Sequence, residues 1–345
     1  MKYNLLGQTG LHVSELCLGT MTFGGTGELW SKIGKLQIDE VSGLVKKAFD
    51  AGINFIDTAN VYSFGQSETL TGEAIKKLGL PRDELVIATK ATGPMSEKPN
   101  ERGQSRYHIM NSVDASLKRL QIDHIDLFQL HGFDPVTPME EAMSVLNDLV
   151  RSGKVRYVGV SNYAGWHIAK ARGITERHGW ARIESVQSYY TIAGRDLERD
   201  VVPVVQDQKM GIMVWSPLAG GILSGKFDKD GKGPAGARRA TFDFPPVDKE
   251  RAFKCIDVMR GIAVKHSASV AQVAIAWLLH QKAVSTVIIG VKSISQLDDN
   301  VGAAKLKLTE EDLKKLNEVS RLPDEYPGWM IERQSGYRAN HPAEK

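Results

Sequence analysis

Four side chains able to take part in proton chemistry stand at the ends of three apolar runs. Asp57 ends one run, and Tyr62 follows it by five residues. Lys90 ends the next run, and His131 directly follows a third. Each has an ordinary alternative: a helix cap, a solvated lysine, a packed tyrosine or a core histidine. Their occurrence after three successive runs favours a shared catalytic site instead.

This set of side chains suits the reduction of a carbonyl group. Hydride addition leaves negative charge on the carbonyl oxygen, and an acid must protonate it. A free phenol has a pKa of about 10, which an adjacent ammonium lowers. Lys90 can supply that ammonium, and Asp57 can keep it charged and in place. Tyr62 is then the proton donor, and His131 binds and orients the substrate oxygen.

The apolar runs that carry these residues belong to a regular alternation with amphipathic stretches. Eight runs are predicted strands: 16–18, 54–57, 85–89, 125–130, 155–160, 183–186, 212–215 and 287–289. Strands apolar on both faces that alternate with helices indicate a parallel sheet. Eight repeats predict an α/β fold of the (β/α)8 TIM-barrel type. An open doubly wound sheet is the alternative, but the G-x-G-x-x-G spacing typical of it is missing after the first strand.

The remaining segments are predicted as parts of one barrel domain over residues 1–345. An N-terminal β-hairpin is predicted at 1–14, turning at 7–10. A long loop at 220–246 is rich in Gly, Pro and Arg, which favours a functional or mobile segment. A tail at 321–345 is irregular, but its aromatic residues predict that part of it packs.

Several helix ends carry sequence signals. Thr137 is a predicted N-cap, with Pro138 at the first helical position and Glu140 completing a capping box. Gly153 is predicted to end that helix. Two other predicted N-caps and two glycine stops are Ser105, Thr309, Gly52 and Gly79.

Composition excludes several classes of protein. Lys and Arg total 44 against 41 Asp and Glu, so a nucleic-acid partner is not indicated. No signal peptide and no run of about 18 apolar residues is visible, so no membrane association is expected. The two cysteines, Cys17 and Cys255, lie in apolar contexts and are predicted to be reduced core residues. We therefore expect a cytoplasmic protein.

The second half of the chain offers a nucleotide site. Phosphate sites of such barrels use the loops after strands seven and eight, here 216–226 and 290–300. Their backbone amides, serines and Lys292 could bind phosphate, and Trp215 offers a flat face for a nicotinamide ring. The alternative is an ordinary glycine-rich loop and a core tryptophan. Metal-binding and G-x-S-x-G hydrolase motifs are missing from the sequence.

The sequence resembles the aldo-keto reductase superfamily over nearly its whole length. The motifs that carry the resemblance are GINFIDTANVY (52–62), GQSE (65–68), ATK (88–90), DLFQLHGFDP (126–135), GKVRYVGVSN (153–162) and SVQSYY (185–190). In that superfamily the first, third and fourth segments bear the catalytic Asp, Tyr, Lys and His. The opening residues resemble its bottom-closing hairpin. The chain is most similar to the bacterial and fungal branch with aryl-alcohol dehydrogenases and potassium-channel β subunits.

The resemblance implies a bound NADP(H). The implied cofactor-binding residues are Gly19, Thr20, Met21, Asp57, Ser161, Asn162, Gln187, Trp215, Ser216, Pro217, Leu218, Gly220, Lys226, Gly290, Lys292, Ser293, Gln296, Asp299 and Asn300. Ser161, Asn162 and Gln187 correspond to contacts of the nicotinamide carboxamide. Gln296 departs from members with Arg there, whereas Lys292, with no acidic residue immediately beside it, favours NADPH over NADH.

The predicted activity is therefore reversible reduction of an aldehyde or ketone. Phe23, Trp30, Tyr62 and His131 are the predicted substrate contacts, with Val61, loop 220–246 and Tyr326 or Trp329 around them. These mostly apolar and aromatic walls favour aryl or bulky carbonyl compounds. Two alternatives stay open: Schiff-base chemistry at Lys90, and a regulatory subunit of the same fold with little turnover. The sequence leaves the physiological substrate and the oligomeric state undetermined.

Overall fold

A closed barrel of eight parallel strands organises the molecule. The computed structural model describes residues 1–228, 233–234, 237, 239 and 242–339. The antiparallel hairpin consists of β1 (Tyr3–Leu5) and β2 (His12–Ser14). The barrel strands are β3 (Leu16–Gly19), β4 (Phe55–Asp57), β5 (Val86–Ala91), β6 (Ile125–Leu130), β7 (Val155–Ser161), β8 (Ile183–Tyr189), β9 (Gly211–Trp215) and β10 (Val284–Gly290). The barrel closes where β10 pairs with both β9 and β3, so the predicted TIM barrel is confirmed.

Helices separate the strands, as the alternating pattern predicts. Those in the described part of the chain are α1 (Glu28–Ile33), α2 (Ile38–Asp50), α3 (Gln66–Leu78), α4 (Arg106–Leu120), α5 (Met139–Arg151), α6 (Gly165–His178), α7 (Val201–Asp207), α8 (Lys249–Lys265), α9 (Val270–Leu279), α10 (Ile294–Gly302), α11 (Glu310–Val319) and α12 (Gly328–Ala339). Within the described residues no single helix is long and apolar enough to cross a membrane. Together, α8 and α9 reach the necessary length and composition, but they are bent by 98°.

The hairpin closes the N-terminal end of the barrel, as predicted. Asn4 Nδ2 donates to the Ser285 carbonyl at 2.9 Å, and Ser285 Oγ donates to the Leu5 carbonyl at 3.1 Å. Leu6 is fully buried in one apolar cluster with Cys17 and residues of five other barrel strands. Apolar packing across the end of the barrel therefore keeps water out of its lower half.

Most predicted helix ends are confirmed. Ser105 Oγ accepts from the His108 amide, and Thr309 Oγ1 accepts from the Asp312 amide. Gly52 (φ 86°) and Gly79 (φ 60°) take the left-handed conformation that follows a helix. Both cysteines, at positions 17 and 255, are free and buried.

The capping box at Thr137 is wrong. Helix α5 begins at Met139, with Pro138 in the N-cap position. The Thr137 hydroxyl instead donates to Asp134 Oδ2 at 2.6 Å. Asp134 also accepts from the Val136 amide at 2.9 Å, so a local turn around this carboxylate takes the threonine away from the helix.

The prediction of an irregular tail is wrong for residues 328–339, whereas Glu325 in the same tail pairs with Arg199 at 2.6 Å. Residues 328–339 form α12, because the Pro327 carbonyl accepts from the Met330 and Ile331 amides and starts a helix. Tyr326 and Trp329 contact each other and stay exposed, and Tyr337 is exposed as well. Residues 340–345 of the predicted tail lie outside the described residues. So do 229–232, 235–236, 238 and 240–241 of the predicted loop at 220–246.

Candidate active site

A cavity of about 680 Å³ opens at the carboxyl ends of the barrel strands. Its lining includes Asp57, Tyr62 and His131, whereas Lys90 lies fully buried beneath it. The carboxyl ends of parallel barrel strands meet at one rim. For this reason residues 74 positions apart, from Asp57 to His131, reach a single cavity.

Asp57 and Lys90 form a buried ion pair at the floor of the cavity. Lys90 Nζ donates to Asp57 Oδ2 and to the Thr58 carbonyl, both at 2.6 Å. Burial would lower the pKa of Lys90, but the charges of Asp57 and Tyr62 outweigh it, and the pKa lies above its usual value. Lys90 is therefore a charged ammonium at neutral pH.

Tyr62 lies directly above this pair. Lys90 Nζ is 5.2 Å from the centroid of the Tyr62 ring. The ring makes edge contacts with His131 at 5.7 Å and with Trp30 at 5.6 Å between centroids. The next three residues, 63–65, all have positive φ values, of 50°, 52° and 93°. Such unfavourable backbone is typical of a functional site, and here it turns the chain sharply after Tyr62.

His131 is a neutral hydrogen-bonding group rather than a cation. Its burial, together with the positive charge of Lys90, lowers the pKa of His131 to about 3. Its backbone amide donates to Thr92 Oγ1 at 3.1 Å, and its carbonyl accepts from Asn162 Nδ2 at 3.1 Å. The imidazole can therefore bind an oxygen atom in the cavity without adding a charge to it.

Side-chain hydrogen bonds connect the ends of β4, β7 and β8 beside the ion pair. Gln187 Nε2 donates to Asp57 Oδ1 at 2.9 Å, and Ser161 Oγ donates to the Gln187 carbonyl at 3.0 Å. Gln129 also reaches Asp57 Oδ1, at 3.3 Å, and was missed by sequence reasoning. A glutamine between Phe128 and Leu130 in the mostly apolar run IDLFQL was the signal that could have identified it.

Most of the predicted nucleotide-binding residues line the same cavity as Asp57. Of these, the following line it: Gly19, Thr20, Met21, Ser161, Asn162, Gln187, Trp215, Ser216, Pro217, Leu218, Gly220, Lys226, Gly290, Lys292, Gln296, Asp299 and Asn300. Ser216 Oγ accepts from the Gly220 amide at 3.1 Å and shapes the turn after β9. Gln296 Oε1 accepts from the Lys292 amide at 2.8 Å at the start of α10.

Ser293 and Phe23 do not lie where the sequence predicts. Ser293 Oγ accepts from the Gln296 amide and so caps α10, and Ser293 is not among the residues that line the cavity. Phe23 is fully buried in the apolar core, because its bulky ring packs beneath the loop rather than into the cavity.

The substrate end of the cavity has apolar walls. Trp30 and Val61 line it as predicted, and Leu29 and Ile33 of α1 join them. The last two were missed, although their spacing around Trp30 places them on neighbouring faces of one helical turn. Phe242 and Phe244 supply aromatic surface from the predicted loop. Tyr326 and Trp329 do not line the cavity.

Comparisons with known proteins agree with this geometry. The family model "Aldo/keto reductase family" matches residues 15–321. An uncharacterised oxidoreductase of Bacillus subtilis is 39% identical over 331 residues, covering 92% of this chain and 96% of its own.

Two similar proteins of Schizosaccharomyces pombe are each 36% identical and cover 92% of this chain. One, provisionally named an aryl-alcohol dehydrogenase, matches over 95% of its length. The other, provisionally named a voltage-gated potassium channel β subunit, matches over 92%. These names correspond to the branch that the sequence resembles, and they support carbonyl reduction in general terms. The chain belongs to the aldo/keto reductase family.

Proposed function

We propose that this protein catalyses the NADP(H)-dependent, reversible reduction of an aldehyde or ketone, with Tyr62 as the proton donor. The observation that carries the proposal is the buried Asp57–Lys90 pair, whose ammonium lies 5.2 Å from the Tyr62 ring centroid at the floor of the cavity. A positive charge in this position favours the phenolate and so makes the phenol a stronger acid.

The four residues have separate tasks in this reaction. Tyr62 gives its phenolic proton to the substrate oxygen as that oxygen gains charge. Lys90 stabilises the phenolate that is left, and Asp57 holds Lys90 in position. Neutral His131 donates a hydrogen bond that orients the substrate oxygen next to Tyr62. In alcohol oxidation the same groups act in reverse.

The cavity fits a nicotinamide nucleotide. Trp215 offers an indole face, Gln187 and Asn162 offer amides, and Lys226 and Lys292 offer cations toward phosphate. When bound, the reduced nucleotide supplies the hydride. Proton transfer and substrate orientation belong to the side chains of the protein.

The charges around Lys292 support a preference for the 2′-phosphorylated nucleotide. The two acidic side chains of α10 have partners of their own: Asp298 pairs with Lys47 at 2.9 Å, and Asp299 accepts from Ser269 and Gln272. A ribose hydroxyl of NADH would ordinarily be recognised by a free carboxylate. Lys292 instead suits a phosphate.

The walls around the reacting end favour an aryl or otherwise bulky carbonyl substrate. Trp30, Leu29 and Phe244 present aromatic and aliphatic surface next to the polar group formed by Tyr62 and His131. The same proposal places the enzyme in the cytoplasm, which the two buried free thiols support.

The decisive experiment is a screen of NADPH oxidation with aromatic aldehydes, ketosteroids, sugars and quinones. We expect turnover with at least one class of carbonyl compound, lost in Tyr62→Phe. Tight NADPH binding without any turnover would instead favour a regulatory subunit, a role that the name of the S. pombe channel relative suggests. A borohydride-trapped adduct on Lys90 would favour Schiff-base chemistry.

A further inference from the structure

Gln129 is a fully buried polar side chain in a strand, β6, whose other residues are apolar except for Asp126. It is the fifth residue of β6 and has 0% of its surface exposed. Its neighbours Leu127, Phe128 and Leu130 are all buried apolar residues. Burying an amide is unfavourable unless its donor and its acceptor are both used. The buried Gln129 amide therefore needs hydrogen-bond partners for both its N–H groups and its carbonyl oxygen.

Both ends of the Gln129 amide meet active-site groups. Its Nε2 donates to Asp57 Oδ1 at 3.3 Å, and its Oε1 accepts from Gln187 Nε2 at 3.4 Å. Gln187 Nε2 also donates to Asp57 Oδ1, at 2.9 Å. An ionised carboxylate can only accept hydrogen bonds, so both glutamines must turn their Nε2 groups toward Asp57. The Oε1 of Gln129 is then left to accept the second N–H of Gln187.

The two side-chain amides donate hydrogen bonds to the carboxylate oxygen of Asp57 that Lys90 does not bind. Oδ2 is bound by Lys90, while Oδ1 accepts hydrogen bonds from the side chains of Gln187 and Gln129. The other titratable groups facing the pair are Tyr62, His131 and Cys17. Burial, with the charge of Asp57 adding to it, raises the pKa of the Cys17 thiol, so the thiol brings no charge. His131 is neutral as well.

We propose that Gln129 is a positioning residue for the proton donor, acting through Asp57 and Gln187 without touching the substrate. This inference rests on the proposed reductase function. The donor end of the Gln129 amide offsets part of the negative charge of Asp57, so more of the positive field of Lys90 reaches Tyr62. Removing that donor makes the potential at Tyr62 more negative, and the phenol becomes a weaker acid.

Three variants test this role. Gln129→Met keeps the volume of the side chain and removes both of its polar ends. Leu127→Met is the matched control, because it makes a similar apolar exchange two residues earlier on the same strand, inside the same barrel. Gln129→Glu keeps a donor and an acceptor only while the new carboxyl group is protonated, and its neighbour Asp57 opposes its ionisation.

The first readout needs neither substrate nor nucleotide. Tyrosine labelled with ¹³C at Cζ reports phenol ionisation by NMR, and the missing signal in Tyr62→Phe identifies Tyr62 among the nine tyrosines. We expect the midpoint of Tyr62 ionisation to rise by about half a pH unit or more in Gln129→Met, as one lost hydrogen bond implies. Leu127→Met should titrate like the wild type.

The second readout is the pH dependence of kcat. Gln129→Glu should approach wild-type turnover at acidic pH and lose it as the pH rises and the new carboxyl group ionises. This reversible pattern would persist even if Gln129→Met fails to fold, and a purely structural role would not produce it. A wild-type Tyr62 midpoint in Gln129→Met, or a wild-type pH profile in Gln129→Glu, would overturn the inference. An inactive wild-type enzyme would refute the proposed function instead. The NMR measurement would still decide whether Gln129 affects the ionisation of Tyr62, because it needs no turnover.

Discussion

The indole N–H of Trp215 donates to Asn162 Oδ1 at 3.0 Å. The same Asn162 has a left-handed backbone (φ 56°) and donates its Nδ2 to the His131 carbonyl at 3.1 Å. The aromatic face at the end of β9 is thereby tied to the histidine after β6. The side chains of Trp215 and His131 both line the cavity, so the indole proposed to face the nicotinamide ring and the imidazole proposed to bind the substrate oxygen are linked through Asn162.

Trp215→Phe tests this link. The substitution keeps an aromatic face and removes the N–H, which frees Asn162 to rotate away from the His131 carbonyl. We expect the Kd of NADPH to rise about fivefold, as for one lost hydrogen bond, measured by isothermal titration calorimetry. Trp166→Phe, on an exposed tryptophan outside the cavity, is the control. Equal Kd values for both variants would show that the Trp215–Asn162 bond does not matter for binding.

Tyr62→Phe should lower kcat by about 100-fold or more, because it removes the general acid and leaves the ring in place. The Kd of NADPH should change little. Rates come from single-turnover NADPH oxidation, and affinities from calorimetry on the same samples. Unchanged turnover in a folded variant would assign the proton donor to another group.

Lys292→Met should weaken NADPH binding by about tenfold or more and leave NADH binding nearly unchanged, because a desolvated charge-assisted phosphate contact is lost. The two affinities are compared by calorimetry at one salt concentration. Lys307→Met, at an exposed lysine outside the cavity, controls for the general loss of positive charge. Parallel weakening of both nucleotides would show that Lys292 does not recognise the 2′-phosphate.

The barrel and the four central residues were predictable, because their signals are local. A strand that is buried on both faces needs a continuous apolar run, and the rule for barrel strand ends then places Asp57, Lys90 and His131 together. Gln129 was not predictable in the same way. Its role depends on β8 and β4 delivering Gln187 and Asp57 to the same point inside the barrel.

The errors have a similar origin. The Ser293 hydroxyl caps its own helix α10, a use of serine that the sequence pattern does not separate from a ligand contact. Phe23 was assigned to the pocket from its position after β3, but loop geometry decides whether such a ring points into the cavity or into the core. Composition could not distinguish a packed aromatic tail from α12, whose aromatic residues lie outside the barrel.

The low pKa of His131, about 3, makes a prediction for stability. An unfolded histidine titrates at about 6.5, so the unfolded state takes up a proton below that pH while folded His131 stays neutral. The stability from this group is complete above about pH 6.5 and is lost as the pH falls toward 3. In His131→Asn, the loss of unfolding free energy between pH 7.5 and 5 should be smaller by on the order of 1 kcal/mol.

Urea unfolding at both pH values measures this difference. His12→Asn, at an exposed histidine of the hairpin, is the comparison. If His131→Asn and the wild type lose equal stability between the two pH values, His131 is protonated in the folded protein. Its role as a neutral hydrogen-bond donor would then be wrong.

We expect Gln66 to fix the position of Trp30, which forms part of the apolar wall of the cavity. Its Oε1 accepts from the Thr26 hydroxyl at 2.7 Å and from the Gly25 amide at 3.2 Å, just before α1. The loop at 24–27 is glycine-rich, and three of its glycines have positive φ values, so it has little stiffness of its own. Together with the backbone bond from the Gly24 amide to the Leu36 carbonyl, this side chain anchors the segment that places Trp30 against Tyr62.

Gln66→Met removes both bonds while keeping the length of the side chain. We expect the KM for a bulky carbonyl substrate to rise about fivefold to tenfold, with the Kd of NADPH unchanged because the nucleotide end of the cavity is untouched. Glu73→Met, on the exposed face of the same helix α3, is the control. Faster proteolytic cleavage within residues 24–37 would accompany the change in KM. An unchanged KM together with unchanged cleavage would mean that Trp30 is held by its own packing and not by Gln66.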